Sequence, residues 1–497
     1  MRSRVLIGAG TLAFFAAASF ANGGVRAHAP EAGQTASGVI FRTLLNLANS
    51  DGEDPSAALV QGADGNFYGT TISGGPEKDG AVFRITPQGI LTTIHYFHGT
   101  DGSDPQDALV LGTDGNFYGT TYSGGDVNAC NGFGCGTLFR ITPAGALTTL
   151  YSFCSQAACA DGALPGGLVQ GSDGNFYGTT YLGGSGACDG GCGTAFRITP
   201  NGMLTTLYNF SANGGGGTFP DPVGALVQGT DGNFYGTTDQ GGTGTACYGG
   251  CGTVFKITPE GVPTTLHSFT GTGEEGWGPT GLIQATDGDF YGTTGAGGSS
   301  QTCPPNGCGT VFKMTPERAF TTIADLSYID GSGPSGVIQA ANGNFYGTAQ
   351  QSGGACNCGT IFEVTPEGVL IRLHSFNHSG GGYFPFAGLI QATNGAFYGD
   401  TFYSNPGYGS IFSLSVGLGP FVKSVPTAGK TGTTVKILGN NLLFATGVTF
   451  NGVAASFTAE SSTYIKATVP AGATTGPIVV TLPSGTLTSN VNFQVLP

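Results

Sequence analysis

Charge is scarce in this chain: 9% of its 497 residues are Asp, Glu, Lys or Arg, and 16 cations face 30 acids. A net charge of −14 offers no basic stripe for a phosphate backbone, which argues against nucleic acid and anionic membranes as partners. Tryptophan occurs once, as Trp277. No serine nucleophile elbow, zinc-protease helix or phosphate loop is present, so the common hydrolase and nucleotide signatures are missing. Gly271–Gly276 does match GxGxxG, but it falls between two strand-like runs and beside acids that would repel phosphate, whereas a dinucleotide site needs a strand followed by a helix. Past the N-terminus, no apolar run approaches the ~20 residues of a membrane span.

Glycine, by contrast, is abundant, at 92 residues. The glycines sit at fixed offsets between aromatic and β-branched runs, which assigns them to turns rather than to low-complexity sequence. The segment DGNFYGTT occupies Asp64–Thr71, Asp114–Thr121, Asp173–Thr180 and Asp231–Thr238. It recurs with changes at Asp287–Thr294, Asn342–Ala349 and Asn394–Thr401. Its tyrosines are spaced by 50, 59, 58, 56, 55 and 52 residues. Each period carries four short strand-like runs, as in Ala225–Gly229, Phe234–Thr238, Gly252–Thr258 and Pro263–Phe269. Asp-Gly tolerates the positive φ of a tight hairpin, so the motif reads as a turn and its returning strand.

Repeats of this length predict an all-β fold, a seven-bladed β-propeller. Phe41–Leu47 looks like a fourth strand placed before the first turn, and the last repeat lacks one. The N-terminal strand is therefore expected to close the last blade. Arg84, Arg140, Arg197, Lys256 and Lys313 recur on the mixed face of the third strand, where protection of a solvated edge is the expected role.

Arg2 and Arg4, the apolar run Val5–Phe20 and Ser19-Phe20-Ala21 make residues 1–21 a signal peptide, followed by a leader at 22–37. The expected location is secreted, periplasmic or cell surface, with no membrane span after cleavage. Twelve cysteines agree with export. They form close pairs: Cys130 with Cys135, Cys154 with Cys159, Cys188 with Cys192, Cys247 with Cys251, Cys303 with Cys308, and Cys356 with Cys358. No histidine lies near them in sequence, which favours disulfides over metal sites.

The repeat pattern spans 38–416. From 419 to 497 it gives way to short alternating strands with turn residues about every ten positions, the pattern of a small β-sandwich. Pro426, Gly429, Gly432-Thr433, Gly439-Asn440-Asn441, Phe450-Asn451-Gly452 and Val469-Pro470 in this tail resemble the IPT/TIG immunoglobulin-like domain. That resemblance implies an Ig-like fold and a spacer or adhesive role. DGNFYGTT together with GTxFRITPxG, at Gly136–Gly145 and Gly193–Gly202, resembles the GloVer tandem repeats of exported bacterial "choice-of-anchor" proteins. This second resemblance carries no catalytic residues with it.

In a near-repeating array, function belongs where units depart from the repeat. The departures are Asp239, Glu274, Glu275, Trp277, Asp289, Asp325, Arg372 and Asp400, with Trp277 placed as a sugar-stacking residue would be. Calcium is the one cofactor left open, with Asp51, Asp54, Asp101 and Asp104 in the DGEDP and DGSDP runs as ligand candidates. His95, His267 and His374 share a repeat position with Tyr151 and Tyr208, which indicates packing or rim residues. The expected function is an exported, non-catalytic binding, adhesion or scaffold protein recognising carbohydrate or a surface protein. The alternatives are a carbohydrate-active or lactone-hydrolysing propeller, and a structural envelope component.

Overall fold

The computed structural model describes residues 38–126, 129–185, 188, 190–211, 222–272, 274–300, 302–303, 305–354, 356–378, 381–405 and 407–497. The expected signal peptide and leader lie outside the described residues. The described fold is all-β, its helical pieces being single 3-10 turns.

Each of the first six repeats folds into one four-stranded antiparallel sheet with its strands in chain order. The first sheet comprises Val60–Gln61, Phe67–Thr71, Ala81–Ile85 and Leu91–Tyr96. Its hairpin turn is held by one aspartate. Asp64 accepts the Asn66 backbone N–H at 3.1 Å and the Tyr68 hydroxyl at 2.9 Å, while Gly65 supplies φ +81°. In the sixth and seventh repeats the polarity reverses, and Asn342 and Asn394 donate to Tyr346 and Tyr398, each at 3.0 Å.

The second strands are Phe67–Thr71, Phe117–Thr121, Phe176–Leu182, Phe234–Thr238, Phe290–Ala296, Phe345–Gln351 and Phe397–Thr401. Their Phe-Tyr pairs join one sheet to the next. Tyr68 packs on Phe117 at 4.1 Å, Tyr177 on Phe234 at 3.8 Å, Tyr346 on Phe397 at 4.3 Å, and Tyr398 returns to Phe67 at 4.1 Å. The seventh sheet takes its fourth strand from the N-terminus: Ile40–Asn46 pairs antiparallel with Ser410–Ser415.

First strands of successive sheets approach one another closely. A Cβ on Gly167 would stand 3.0 Å from Ala225 Cβ, and one on Gly281 would stand 3.7 Å from Gly336 Cα. At the turn end of these strands, Gln61, Gln170, Gln228, Gln284, Gln339 and Gln391 each accept a backbone N–H from the preceding sheet at 2.8–3.0 Å.

One expectation is corrected. The recurrent cation lies on the third strand, which is paired on both sides and is no edge. It braces the hairpin turn: Lys313 Nζ stands 3.2 Å from Asp287 and 2.6 Å from Asp289. Alternation along the strand locates the mixed face, but strand order within the sheet decides what the cation meets.

The cysteines pair as expected, Cys130 with Cys135, Cys154 with Cys159, Cys188 with Cys192, Cys247 with Cys251, Cys303 with Cys308, and Cys356 with Cys358. In five of these bridges the second cysteine is buried at the foot of the third strand, as Cys135, Cys192, Cys251, Cys308 and Cys358, and the first is half-buried. Such a bridge pins the loop between second and third strands to the sheet. Cys154 and Cys159 differ: both are half-buried, in the loop that follows a fourth strand.

Residues after 420 form two four-stranded sheets around one core of Val435, Ile437, Phe450, Ile465, Ile478 and Val480. Ala428–Lys430 adds a parallel pair with Gln494–Leu496. This tail docks on the hairpin-turn end of the repeats. Thr463 Oγ1 donates to Ala63 O at 2.7 Å, Phe421 N–H to Thr393 O at 3.0 Å, and Lys423 Nζ to Gln391 O. Burial brings the Lys423 ammonium down to about 8. The second sheet carries Leu111 where the others have glutamine; Leu111 packs with Leu438 of the tail, and Thr463 takes the neighbouring Ala63 carbonyl. The tail thus occupies the one gap in the glutamine series.

Candidate functional site

With the tail on the hairpin-turn end, the opposite end of the sheets carries the candidate site. There the five-residue motif of the second strand finishes and the next residue departs from the repeat: Ile72, Tyr122, Tyr181, Asp239, Gly295, Gln350 and Phe402, all half-buried. Strand alternation sets their direction. The preceding threonine turns into its own sheet, as in the 2.9 Å contact of Thr121 with Thr137. The departing residue then turns the other way, toward the starts of the converging first strands. Gln350 Nε2 donates to Ser335 Oγ at 3.3 Å, Phe402 packs edge-on to Phe386 at 5.0 Å, and the rings of Tyr122 and Tyr181 meet at 5.9 Å across two sheets. A Cβ on Gly278 would fall 2.9 Å from Asp239 Oδ1, so Gly278 leaves this carboxylate its room. Burial holds Asp239 above the usual carboxylate range.

A second set of acids is paired with residues of the fourth strands. His95 Nε2 stands 2.9 Å from Asp101, the Tyr151 hydroxyl donates to Asp161 at 2.7 Å, and His267 Nε2 stands 2.5 Å from Glu275. His95, Tyr151 and His267, which share this repeat position, are therefore each tied to the acid that opens the next repeat. Although burial works the other way, hydrogen bonds from His95 and His98 hold Asp101 below its ordinary value.

The eight departures named from sequence do not form one site. Glu275 is engaged by His267 and by Thr270, whose hydroxyl donates to it at 2.6 Å. Glu274 is exposed, and its carbonyl accepts Thr322 Oγ1 at 3.0 Å. Trp277 is half-buried against the Val254 and Phe269 core. Asp325 accepts the Ser299 hydroxyl. These share the open end with Asp239. Asp289 lies at the other end, paired with Lys313, and Arg372 sits on an outer strand, donating to Ile329 O at 2.7 Å. Asp400 is 1% exposed and stands where other repeats have threonine. Three of those threonines donate to a carbonyl of the following sheet: Thr70 to Asp107 O, Thr120 to Gly166 O at 2.9 Å and Thr348 to Ala387 O at 2.8 Å. Neither Asp400 oxygen has a hydrogen-bond partner, and burial raises its carboxyl well above the ordinary range. Asp107, at the start of a first strand, is pushed up to about 7 by burial. Missed by the sequence reading were Tyr122, Tyr181, Gln350 and Phe402. Their signal was present, as the variable residue directly after each near-constant FYGTT.

The calcium candidates are dispersed among local hydrogen bonds. Asp51 accepts the Ala48 N–H at 3.0 Å, Asp54 the Ser73 hydroxyl at 3.0 Å, and Asp104 the Ser123 hydroxyl at 2.7 Å. Among the described residues, two groups are spaced to hold a metal: Cys130, Cys135 and Cys154 in one, and Cys356, Cys358 and His378 in the other. His378 thus approaches a cysteine pair that has no histidine near it in sequence. Every cysteine of both groups is joined in a disulfide, and a disulfide sulfur is not the thiolate a metal needs.

A family model described as the Gloeobacter/Verrucomicrobia repeat matches residues 20–247 and 221–464. No curated protein gives a match. Among solved structures, a candidate 6-phosphogluconolactonase from Bacteroides uniformis is 16% identical, with a TM-score of 0.41, over 64% of this chain and 84% of that one. A gluconolactonase from Xanthomonas campestris is 14% identical, with a TM-score of 0.34, over 56% and 78%. The extracellular domain of a candidate hybrid two-component system from Bacteroides thetaiotaomicron is 11% identical, with a TM-score of 0.48, over 94% and 60%.

Proposed function

The chain belongs to the Gloeobacter/Verrucomicrobia repeat family, and we propose that it is an exported binding protein that takes carbohydrate at the open mouth of a closed seven-bladed β-propeller. One observation carries this reading: the residues following the FYGTT strands gather aromatic faces and polar groups around the starts of the innermost strands. Tyr122, Tyr181 and Phe402 offer faces for sugar C–H groups, and Asp239 and Gln350 offer hydrogen bonds to hydroxyls. Closure of the ring is supported by the Tyr398–Phe67 contact and by the N-terminal strand of the seventh sheet. The two-sheet tail is read as an Ig-like module of the IPT/TIG kind that caps the hairpin-turn end. Export is supported by the six disulfides, which suit an oxidising compartment.

A glycan array with the purified chain tests this function. Retention of a polysaccharide, abolished in Tyr122→Ala and Asp239→Asn, is the expected result. Uniform absence of glycan binding, or binding indifferent to both variants, overturns it.

A hydrolytic reading takes Asp107, half-buried just ahead of a first strand and raised by burial, as its candidate for proton transfer. Turnover of a sugar lactone that disappears in Asp107→Asn is the result that favours it over binding alone.

A further inference from the structure

Three times, a ring on the fourth strand faces the carboxylate that opens the next repeat: His95 with Asp101, Tyr151 with Asp161, and His267 with Glu275. In the sixth sheet the ring is His374, paired with Ile361 as His267 is paired with Val254. The residue that should bring the carboxylate is Gly381. Its equivalence to Asp101 is structural. Ser410 Oγ donates to Gly381 O at 3.0 Å as Thr137 Oγ1 does to Asp101 O at 3.0 Å. The glycines that follow, Gly382 and Gly102, both have positive φ, and a Cβ on either would collide with a second-strand threonine, Thr401 or Thr121.

The missing side chain leaves a hollow. A cavity of about 420 Å³ opens there, lined by Phe41, Thr43, His374, Asn377 and Gly381. The rest of the arrangement is retained. Phe41 stacks on His374 at 3.7 Å and 5°, as Phe320 stacks on His267 at 4.1 Å and 5°. His374 has no acid within ion-pair distance among the described residues. Its imidazole is accordingly kept neutral at pH 7, with burial lowering it to about 4.

We propose that this cavity is a binding site for the carboxylate of a small organic acid, such as a hexuronate, which takes beside His374 the place that Asp101 and Glu275 take beside His95 and His267. A ring N–H is the donor that the acid's carboxylate meets, and Phe41 fixes the ring plane. Thr43 and Asn377 line the same hollow. This site is separate from the central mouth and from Asp239.

Histidine Cε1–H resonances of the full chain, titrated with D-glucuronate, acetate and glucose, test the proposal. Six histidines keep the spectrum assignable, and His267 reports that the fold is intact. Expected are a saturable shift of His374 with glucuronate and acetate, none with glucose, and its loss in Gly381→Asp, which supplies the carboxylate internally. A Cβ at that position comes 3.1 Å from Phe41 Cε1, so His374→Gln serves as a second variant, read by calorimetry, with glucuronate affinity expected to fall by about tenfold or more. A His374 signal unmoved by either acid, a glucose response equal to that of glucuronate, or full affinity in both variants overturns it. Tyr122→Ala leaves this binding unchanged, which separates the site from the central mouth.

Discussion

The Tyr398 ring of the last repeat lies 4.1 Å from the Phe67 ring of the first. Beside it, Gln61 accepts the Thr393 N–H at 3.0 Å and returns its amide to Thr393 Oγ1 at 3.2 Å, across a separation of 332 residues. Replacing Gln61 with leucine, the residue found at 111, leaves the Thr393 N–H without its partner. The expected loss is about 1–3 kcal/mol, a fall of a few degrees in melting temperature. Hydrogen exchange checks the location: amides of the Ile40–Asn46 strand lose protection in Gln61→Leu and keep it in Gln170→Leu.

Asp400→Thr restores the repeat residue and should stabilise the protein. The buried carboxyl has a raised value in the folded state, so its contribution is fully present below the ordinary carboxylate range and is lost as pH rises through the folded value. At pH 7 the variant is expected to gain about 1–3 kcal/mol, by removing an unpartnered buried acid. Urea unfolding across pH 4–8 checks this. The wild type should weaken with rising pH more steeply than Asp400→Thr, which keeps the falls contributed by the other raised carboxyls, Asp54, Asp107 and Asp239.

Thr463→Ala removes the hydroxyl that donates to Ala63 O at 2.7 Å. Docking of the tail should weaken by about 1 kcal/mol. Exchange of the Asp64–Asn66 turn amides is expected to rise, while those of the Asp173–Asn175 turn, where no tail residue donates, stay as they were.

Reduction should loosen loops without unfolding sheets. The bridges span 2 to 5 residues, and short loops of that kind stabilise by about 2 kcal/mol each. A reductant is expected to lower the melting temperature and leave the far-ultraviolet circular dichroism at 25 °C unchanged. Collapse of the strand signal on reduction would show that the bridges hold the fold itself.

Much of this architecture is legible in the chain because its causes are local. Asp64, Gly65 and Tyr68 sit within five positions, and their turn chemistry is complete before any long-range contact forms. The Asp-Gly turn assigns Phe67–Thr71 as the returning strand, and the displaced Ile40–Asn46 run announces its partner by matching a repeat that lacks one. The site was less legible. Asp239 stood out as an acid among neutral residues, yet Tyr122, Tyr181 and Phe402 vary in a way that looks unremarkable until their positions are superposed. Glu275 stood out too, but packing gives it to His267.

By itself the sequence determined the turns, the strands, their number per repeat and the disulfide pairs, all set by residues near one another along the chain. Only the tertiary structure decided which residues meet across sheets. It brought Tyr122 to Tyr181, set the tail at Leu111, left Asp400 without a partner and opened the hollow beside His374. Those outcomes depend on register and on the approach of one sheet to the next, distances that no run of neighbouring residues encodes.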